Sequence, residues 1–484
     1  MGYDRMSPQD AGFLHIEDAV THMHIGSVSI MEGPPPPYPE LCEMVARKLP
    51  LVRRYRQVVR PVPFDLGRPV WVDDPYFNLE YHLRHTALPR PGSDEELRNL
   101  VGRLMAQKLD RSKPLWEIWM VEGLQYDRWA LVSKVHHCMV DGVSGSDLLG
   151  LILDASPDAV GGDPGEWRPG PAPAGWELGV EAVASLLTSP FEVARLLRTQ
   201  TSGPRRALAQ LLEFAAGLRA TAGNIRSTTT GTLNGPIGPH RRWVSTSLPV
   251  ADIKTVRHAL GGAFNDVVLA VITRGFRDLL ESRGESTEHP IRTLVPVSVR
   301  PRDERGRATG DGTLANKVSA IFADLPVGIA DPVERLNRVA AQTSGLKESK
   351  QALAAENLTH LAGFAPPMLL SLAGRVGTKV AQNTVNTVTT NVPGPQLPLY
   401  AAGRRMLEIF PYVPLGLQLR IGVAIFSYDG HVTFGITGDY DSAPDIKVLA
   451  DGIGAGMAEL LSANRSHSVI DLRAHQRDDA LTSR

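Results

Sequence analysis

The sequence is poor in cysteine, and this scarcity narrows the classes of protein that it fits. Its 484 residues include two cysteines, Cys42 and Cys138. Two thiols cannot build the disulfide framework that stabilises many small secreted domains. The first residues also lack the basic segment and apolar core of a secretory signal. We therefore expect a protein of the reducing cytoplasm.

Long apolar runs and an excess of one charge are also missing. No stretch of the sequence approaches the roughly 18 apolar residues that cross a bilayer. Lysine plus arginine number 51 and aspartate plus glutamate 52, so the formal net charge is -1. Such a balance gives no overall field that would attract nucleic acid or an anionic membrane. If the substrate is a lipid, we expect the chain to meet it at a membrane or droplet surface.

Length and composition predict a folded protein with more than one domain. Hydrophobic residues make up 43% and charged residues 21% of the 484, a globular composition in a chain too long for one ordinary core. Strand and helix patterns mix in residues 1–155 and again in 231–464, which indicates an α/β class. Proline and glycine crowd residues 156–179 and helical patterns follow, so residues 156–230 are predicted to connect the two halves. Residues 465–484 are polar and are predicted to form a loose tail.

One short string carries most of the information on chemistry. Residues 136–142 read His-His-Cys-Met-Val-Asp-Gly. The preceding residues, 129–135, alternate as a β-strand does, and Asp141-Gly142 is a turn signal. The two histidines are therefore predicted at the end of a strand. Because an imidazole titrates near neutrality, it can take a proton from an alcohol and return it to a leaving group, which favours group transfer.

Two other interpretations of the string remain open. Two histidines and a carboxylate can bind zinc or iron, although adjacent strand residues face opposite sides and no further Cys or His cluster stands nearby. The histidines can also be core residues with satisfied hydrogen bonds. We favour catalysis without a metal, because the turn signal places the pair at the end of an element, where chemistry is commonly displayed.

Further motifs accompany this string in a definite order along the chain. They are Met6–Leu14, Pro114–Glu117 (Pro-Leu-Trp-Glu), Leu233–Gly238, Asn265–Asp266, Pro296–Arg300 and Asn391–Pro395. Taken together, they make the sequence resemble the bacterial wax ester synthase/diacylglycerol acyltransferase family over most of its length. The His-His-x-x-x-Asp-Gly string alone is shared with the wider superfamily of chloramphenicol acetyltransferase and peptide-synthetase condensation domains.

The resemblance implies a fold and a set of catalytic roles. It implies two chloramphenicol acetyltransferase-like halves, each a mixed β-sheet flanked by helices, around a central channel. His137 would be the general base and His136 a neighbour that shapes the site. Asp141 would be structural, paired with an arginine that the sequence does not identify. Gly142 would permit a tight turn that a side chain would obstruct.

Residues of the second half are implied to bind substrate. Asn265 is expected to donate a hydrogen bond to the reacting carbonyl or to orient substrate, whereas Asp266 either fixes Asn265 or caps a helix that starts there. Asn391 begins a loop whose prolines and glycine set the backbone geometry. Thr389 and Thr390, just before it, are expected to face the channel.

The implied function is acyl-CoA-dependent O-acyl transfer that forms triacylglycerol from diacylglycerol, with wax esters from long-chain alcohols as further products. Acyl-CoA is a co-substrate, and we expect no cofactor, no metal and no acyl-enzyme through Cys138. The expected location is cytoplasmic, in peripheral contact with the inner membrane surface or lipid droplets, with no nucleic-acid partner. Two alternatives stay open: a condensation-type enzyme acting on carrier-bound or polyketide chains, and a catalytically silent lipid-binding protein.

Overall fold

The structure is a computed structural model. It describes the chain except for several segments. The described residues are 4–63, 66–139, 150, 152–159, 162–181, 231–298, 318–348, 385–416 and 418–482. Two sheets and the helices that pack on them account for most of these residues.

The helices lie mainly beside and between the strands. Their bounds are α1 Pro8–Ile16, α2 Tyr38–Lys48, α3 Leu79–His82, α4 Asp94–Ala106, α5 Val250–Leu260, α6 Phe264–Ser282, α7 Pro332–Glu348 and α8 Ile446–Thr482. Helix α4 shows why such elements start where they do. The Ser93 hydroxyl accepts from the Glu96 backbone N–H, while the Glu96 carboxylate accepts from the Ser93 N–H. This capping box satisfies two backbone donors that the first turn leaves free.

The first sheet has six strands in the order β11-β12-β1-β6-β5-β4. Their bounds are β1 His24–Glu32, β4 Leu83–Ala87, β5 Trp116–Leu124, β6 Arg128–His136, β11 Tyr400–Ala401 and β12 Arg404–Tyr412. Strands β4 and β5 are parallel, and the other neighbours are antiparallel. Because β6 lies between β1 and β5, its last residue, His136, is opposite His24 of β1.

The second sheet also has six strands, in the order β7-β14-β13-β10-β8-β9. Their bounds are β7 Arg241–Pro249, β8 Ile291–Ser298, β9 Val318–Leu325, β10 Thr387–Pro393, β13 Ile421–Tyr428 and β14 His431–Asp439. Strand β10 is parallel to both β8 and β13, whereas the other pairs are antiparallel. A separate pair, β2 (Gln57–Arg60) with β3 (Val70–Asp73), lies outside both sheets. Each half of the molecule is thus built on a mixed sheet.

Strands β11 and β12 belong to the second half of the sequence but to the sheet of the first half. β12 pairs with β1 and also packs across β14 of the second sheet, where the Thr433 hydroxyl donates to the Ile409 carbonyl at 2.5 Å. Gly435 lies so close to the Pro411 carbonyl that a Cβ would overlap it. The predicted division at residues 231–464 follows the chain, whereas β11 and β12 of that segment join the first sheet. Alternation along a strand does not say which sheet the strand joins.

Helix α6 forms the centre of the second half. Most of its apolar residues, including Val267, Val271 and Phe276, are completely buried and pack against α8 and the second sheet. Gly275 allows this close packing, because a Cβ there would contact the Leu449 carbonyl and the Ile453 side chain. Within the described ranges no single helix is long and apolar enough to cross a bilayer. Helices α5 and α6 reach that length and composition only together, with a bend of 103° between them.

Two expectations from the sequence concern the connecting segment and the C-terminal end of the chain. Residues 162–174 have no regular secondary structure, as the prolines and glycines predict. Trp167 fastens this segment to the first half, since its Nε1 donates to the Asp74 carbonyl at 2.9 Å and the Arg56 guanidinium lies 3.9 Å above its ring. The segment from residue 465, expected to be a loose tail, continues α8 as a helix to Thr482. Its last part contains neither glycine nor proline, so nothing in the sequence stops the helix.

Candidate active site

The histidine pair lies at the end of β6, as the alternating pattern predicts. His136 is the last residue of the strand, and His137 begins a short 3-10 helix that ends at Met139. The backbone N–H of His136 donates to the Leu115 carbonyl at 2.9 Å, and that of His137 donates to the Met23 carbonyl at 2.8 Å. The Pro-Leu-Trp motif and the start of β1 therefore fix the backbone of the pair from both sides.

The His136 side chain is buried and uses both ring nitrogens inside the protein. Nδ1 accepts from the Cys138 backbone N–H at 3.1 Å, and Nε2 lies 3.0 Å from Oε2 of Glu17. Because Nδ1 accepts a hydrogen bond, it carries no proton, so the ring proton is on Nε2 and is donated to Glu17. His136 thus has no ring nitrogen left for a substrate.

Glu17 is the buried carboxylate next to the pair, with a side chain that is 3% exposed. Its Oε1 lies 3.2 Å from the Arg111 guanidinium, and its Oε2 lies 3.8 Å from Nε2 of His24 and 3.4 Å from the Met23 N–H. Burial alone would raise the pKa of Glu17. The hydrogen bond from His136 and the nearby basic groups outweigh burial and lower the pKa to about 2. The carboxylate is therefore ionised at any physiological pH.

His137 differs from its neighbour because it is half-buried and lacks a comparable set of partners. Its ring stacks on Phe13, with centroids 3.9 Å apart. Nδ1 has no hydrogen-bond partner in any other described residue. Burial, together with the proximity of His136, lowers the pKa of His137 to about 4. At neutral pH the imidazole is uncharged and has a lone pair that can accept a proton.

The loop between α1 and β1, which supplies Glu17 and Met23, is itself held in place. Oδ1 of Asp18 accepts the N–H groups of Val20 and Thr21, at 2.9 and 2.7 Å. Arg241, the first residue of β7, donates to the Val20 carbonyl. The second half of the molecule therefore helps to fix a loop that contacts both histidines.

The Pro-Leu-Trp-Glu motif forms part of the core behind the pair. Trp116 is fully buried, its Nε1 donates to the Tyr55 carbonyl at 2.8 Å, and its ring stacks on His82 at 4.6 Å. Glu117 lies 3.7 Å from the ammonium group of Lys134, a fully buried residue of β6. The motif therefore supports β5 and β6 from within the core.

His82 gives a stability prediction that does not involve catalysis. Burial lowers its pKa from 6.5 to about 4, despite the hydrogen bond from Nδ1 to the Trp116 carbonyl. Between these values the unfolded chain binds the proton and the folded chain does not, so the free energy of unfolding falls as the pH drops. From pH 7 to pH 5 we expect His82 to account for a loss of about 2 kcal/mol. Urea midpoints of the wild type should fall more steeply than those of His82→Gln, and parallel pH dependences would contradict this assignment.

Cys138 follows the pair, and its environment does not favour a nucleophile. The side chain is buried, and burial, followed by the charge of Asp10, raises the pKa of the thiol well above its ordinary value. A protonated thiol is a poor nucleophile. We predict that Cys138→Ala keeps kcat within about twofold of the wild type. Loss of all acyl transfer in a folded Cys138→Ala protein would show that the thiol takes part.

Asn265, Asp266 and Asn391 lie together in the second half. Nδ2 of Asn391 donates to Oδ1 of Asn265 at 2.9 Å. The Asp266 carboxylate accepts the Ala263 N–H at 2.7 Å and the Thr343 hydroxyl at 2.7 Å. Asp266 therefore caps the start of α6 and connects it to α7. Of the two expected roles for Asp266, this is that of a helix cap. The Asn265 Nδ2 group has no partner within the described part of the chain and remains available as a donor.

Thr389 and Thr390 are consecutive residues of β10, so they face opposite sides of the second sheet. Thr389 is buried, and the Thr293 hydroxyl donates to its Oγ1 at 2.8 Å. Thr390 is half-buried. The two side chains therefore lie on opposite faces of the sheet, and their expected place at the channel stays a prediction.

The structure does not bring all predicted site residues into contact. Asp141 and Gly142 lie outside the described residues. Across the described ranges, no hydrogen bond, ion pair or ring contact links the histidine pair to Asn265 or Asn391. A pocket of about 390 Å³ lies elsewhere, beside the connecting segment and β3.

The residues that contact the pair from the N-terminal side were not among the predicted site residues. Phe13 stacks on one histidine, and the buried Glu17 carboxylate, paired with the exposed Arg111, contacts the other. Phe13 belongs to the Met6–Leu14 motif and Glu17 follows it by three positions, so the motif was the available signal. A lone glutamate after a helix gives no indication of which histidine it will meet.

Comparison with known protein families decides the relationship. A model of the wax ester synthase/diacylglycerol acyltransferase catalytic domain matches residues 6–268. A model of the WS/DGAT C-terminal domain matches residues 314–461. The chain belongs to the wax ester synthase/diacylglycerol acyltransferase family. Membership makes it an acyltransferase, as the resemblance implies.

Individual relatives agree with this membership. The chain is 35% identical over 472 residues to a probable diacylglycerol O-acyltransferase of Mycobacterium tuberculosis, covering 96% of this chain and 97% of the relative. The solved wax ester synthase/diacylglycerol acyltransferase of Marinobacter aquaeolei is 26% identical, with a TM-score of 0.68 and coverage of 95% and 99%.

A more distant solved structure bears on the fold alone. The starter condensation domain of rhizomide synthetase is 14% identical, with a TM-score of 0.52 over 96% of this chain and 94% of that one. The predicted fold class, two halves with mixed sheets flanked by helices, is confirmed.

Proposed function

We propose that this chain transfers a fatty acyl group from acyl-CoA to the hydroxyl group of diacylglycerol, forming triacylglycerol, and that it also forms wax esters from long-chain alcohols. The observation that carries the proposal is the state of His137, a neutral, half-buried imidazole at the end of β6. The chain's family is named for both activities, and its mycobacterial relative is named for the first. These names favour O-acyl transfer over a condensation-type enzyme or a silent lipid-binding protein.

In the proposed reaction His137 acts as the general base. A ring nitrogen takes the proton of the acceptor hydroxyl while the hydroxyl oxygen attacks the thioester carbonyl carbon. The tetrahedral oxyanion then collapses, the carbon–sulfur bond breaks, and the imidazolium returns the proton to the sulfur of coenzyme A. Because a thiol has a pKa of about 8.5 and the His137 imidazolium is far more acidic, this last transfer is favourable.

The transition state also needs hydrogen-bond donors for the oxyanion. Asn265 is our candidate, because its side-chain oxygen is occupied by Asn391 while its N–H₂ group is free within the part of the chain that the structure describes. Asn391 would orient Asn265, and Thr390 is retained as a substrate neighbour. Asp266 contributes indirectly, since it fixes the start of the helix that bears Asn265. Asp141 and Gly142 would shape the turn after the histidine pair.

We further propose direct transfer, without a covalent acyl-enzyme and without a cofactor beyond the acyl-CoA co-substrate. The protonated Cys138 thiol supports this scheme. The acceptor is a lipid, so the protein would contact the inner membrane surface or a lipid droplet peripherally from the cytoplasm. No nucleic acid has a part in the scheme.

Product identity tests the proposal. Purified protein is incubated with radiolabelled palmitoyl-CoA and either dioleoylglycerol or hexadecanol, and the labelled lipids are separated. We expect triacylglycerol with the first acceptor and wax ester with the second, each with release of one coenzyme A per ester. Transfer to neither acceptor, with release of free palmitate only, would contradict the proposal.

A further inference from the structure

Glu17 is the one carboxylate that contacts the buried member of the histidine pair, among the residues that the structure describes. It has no direct contact with His137 there. Its position nevertheless connects it to His137 through two short series of hydrogen bonds that start from the same atom, Oε2.

The first connection passes through His136. Oε2 of Glu17 accepts the Nε2 proton of His136 at 3.0 Å, which leaves Nδ1 of that ring as an acceptor. Nδ1 then accepts the Cys138 N–H at 3.1 Å. This bond fixes the first turn of the 3-10 helix in which His137 and Cys138 are consecutive residues.

The second connection passes through the backbone before β1. Oε2 of Glu17 also accepts the Met23 N–H, at 3.4 Å, and the carbonyl of Met23 accepts the His137 N–H at 2.8 Å. Groups that Glu17 orients thus accept the backbone N–H groups of both His137 and the next residue, Cys138. On its far side, Oε1 of Glu17 is paired with Arg111 at 3.2 Å, so the carboxylate is fixed as well.

We propose that Glu17 is a positioning residue for acyl transfer: it sets the tautomer of His136 and thereby the placement of the His137 imidazole. The inference rests on the proposed function, in which His137 is the base. It adds to that function a residue outside the His-His-x-x-x-Asp-Gly string. Catalysis is sensitive to such placement, because a shift of about 1 Å in a reacting group can cost about a hundredfold in rate.

The test is a double-mutant cycle on kcat with palmitoyl-CoA and dioleoylglycerol. Glu17→Gln keeps the shape of the side chain, but its one carbonyl oxygen cannot serve both Arg111 and the His136 side. We expect kcat to fall about 10- to 100-fold while KM for palmitoyl-CoA stays within about twofold. Glu17→Gln/His136→Ala should lose less than the product of the two single losses, since both changes interrupt the connection through His136.

Two further variants complete the design. Glu17→Asp keeps the charge beside Arg111 and hence the fold, but withdraws the oxygen from His136, so it should show the same loss of kcat and the same coupling. Asp73→Asn is the matched control. Asp73, in β3, is another buried carboxylate and lies 2.6 Å from the Arg53 guanidinium. Removal of its charge should leave kcat unchanged.

The outcomes separate this inference from the function on which it rests. If His137→Ala keeps wild-type activity, the proposed function fails. If His137→Ala is inactive while folded Glu17 variants keep wild-type kcat, or multiply the loss of His136→Ala, the positioning role alone fails. A loss confined to KM would likewise overturn it, because misplacement of the base acts on the chemical step.

Discussion

His137→Ala is expected to lower kcat for acyl transfer by about 100- to 10,000-fold, the usual contribution of a general base. The substitution removes the neutral imidazole that would take the hydroxyl proton and return it to the thiolate. The loss should appear with both acceptors, since diacylglycerol and long-chain alcohols require the same proton transfer. The measurement is kcat with saturating palmitoyl-CoA, together with a thermal unfolding curve to show that the variant is folded.

The control for this prediction is His136→Ala, which should be less damaging. His136 has no ring nitrogen available for substrate, because Cys138 and Glu17 occupy both. Its removal disturbs the placement of the base but leaves the base in the chain. Equal residual activity in the two variants would contradict the separate roles that we assign to the two rings.

Gly435→Ala is expected to have the largest effect on stability, a loss of about 3 kcal/mol or more. Gly435 lies in β14 where β12 crosses it, and an added Cβ would overlap the Pro411 carbonyl and approach Nε1 of Trp243 at 3.2 Å. The Pro411 carbonyl belongs to β12 of the other sheet, so it cannot move away without separating the two sheets. The midpoint of urea unfolding measures the loss.

Gly454→Ala is the matched control for this change. Gly454 lies in α8, and a Cβ there meets no other atom within 4 Å. In a helix the change to alanine should stabilise by up to about 1 kcal/mol. If both glycine variants unfolded at the same urea concentration, β12 and β14 would not be in the contact that the structure gives them.

The local elements of the fold could be predicted from the sequence because they depend on periodicity and punctuation. The alternation of residues 129–135 and the following Asp-Gly correctly predicted a strand that ends at the histidine pair. The expectation of a helix starting at Asn265 corresponds to α6, whose cap is the Asp266 carboxylate.

What the sequence could not predict depends on contacts between distant residues. Glu17 meets His136 across 119 positions of the chain, and Arg241 reaches Val20 across 221. No local pattern encodes which side chains such folding brings together. The placement of β12 in the first sheet was unpredictable for the same reason, because the residues of β12 fit either sheet.

The helical end of the chain shows a different limit. Polar composition after residue 465 predicted a loose tail, yet α8 continues to Thr482. Polarity reports on the lack of a buried face, whereas helix formation depends on backbone propensity and on the absence of glycine and proline. In this segment the sequence is polar, yet the backbone is helical.

A single-turnover experiment tests the central claim, direct acyl transfer with His137 as the base, most directly. Enzyme in excess over radiolabelled palmitoyl-CoA is mixed with dioleoylglycerol, quenched at intervals, and the label in thioester, protein and triacylglycerol is counted. We predict that label passes from thioester to triacylglycerol in step with coenzyme A release, with none on the protein, and that His137→Ala transfers almost nothing in the same time. Label held covalently by the protein before triacylglycerol forms, or wild-type transfer by His137→Ala, would contradict the account.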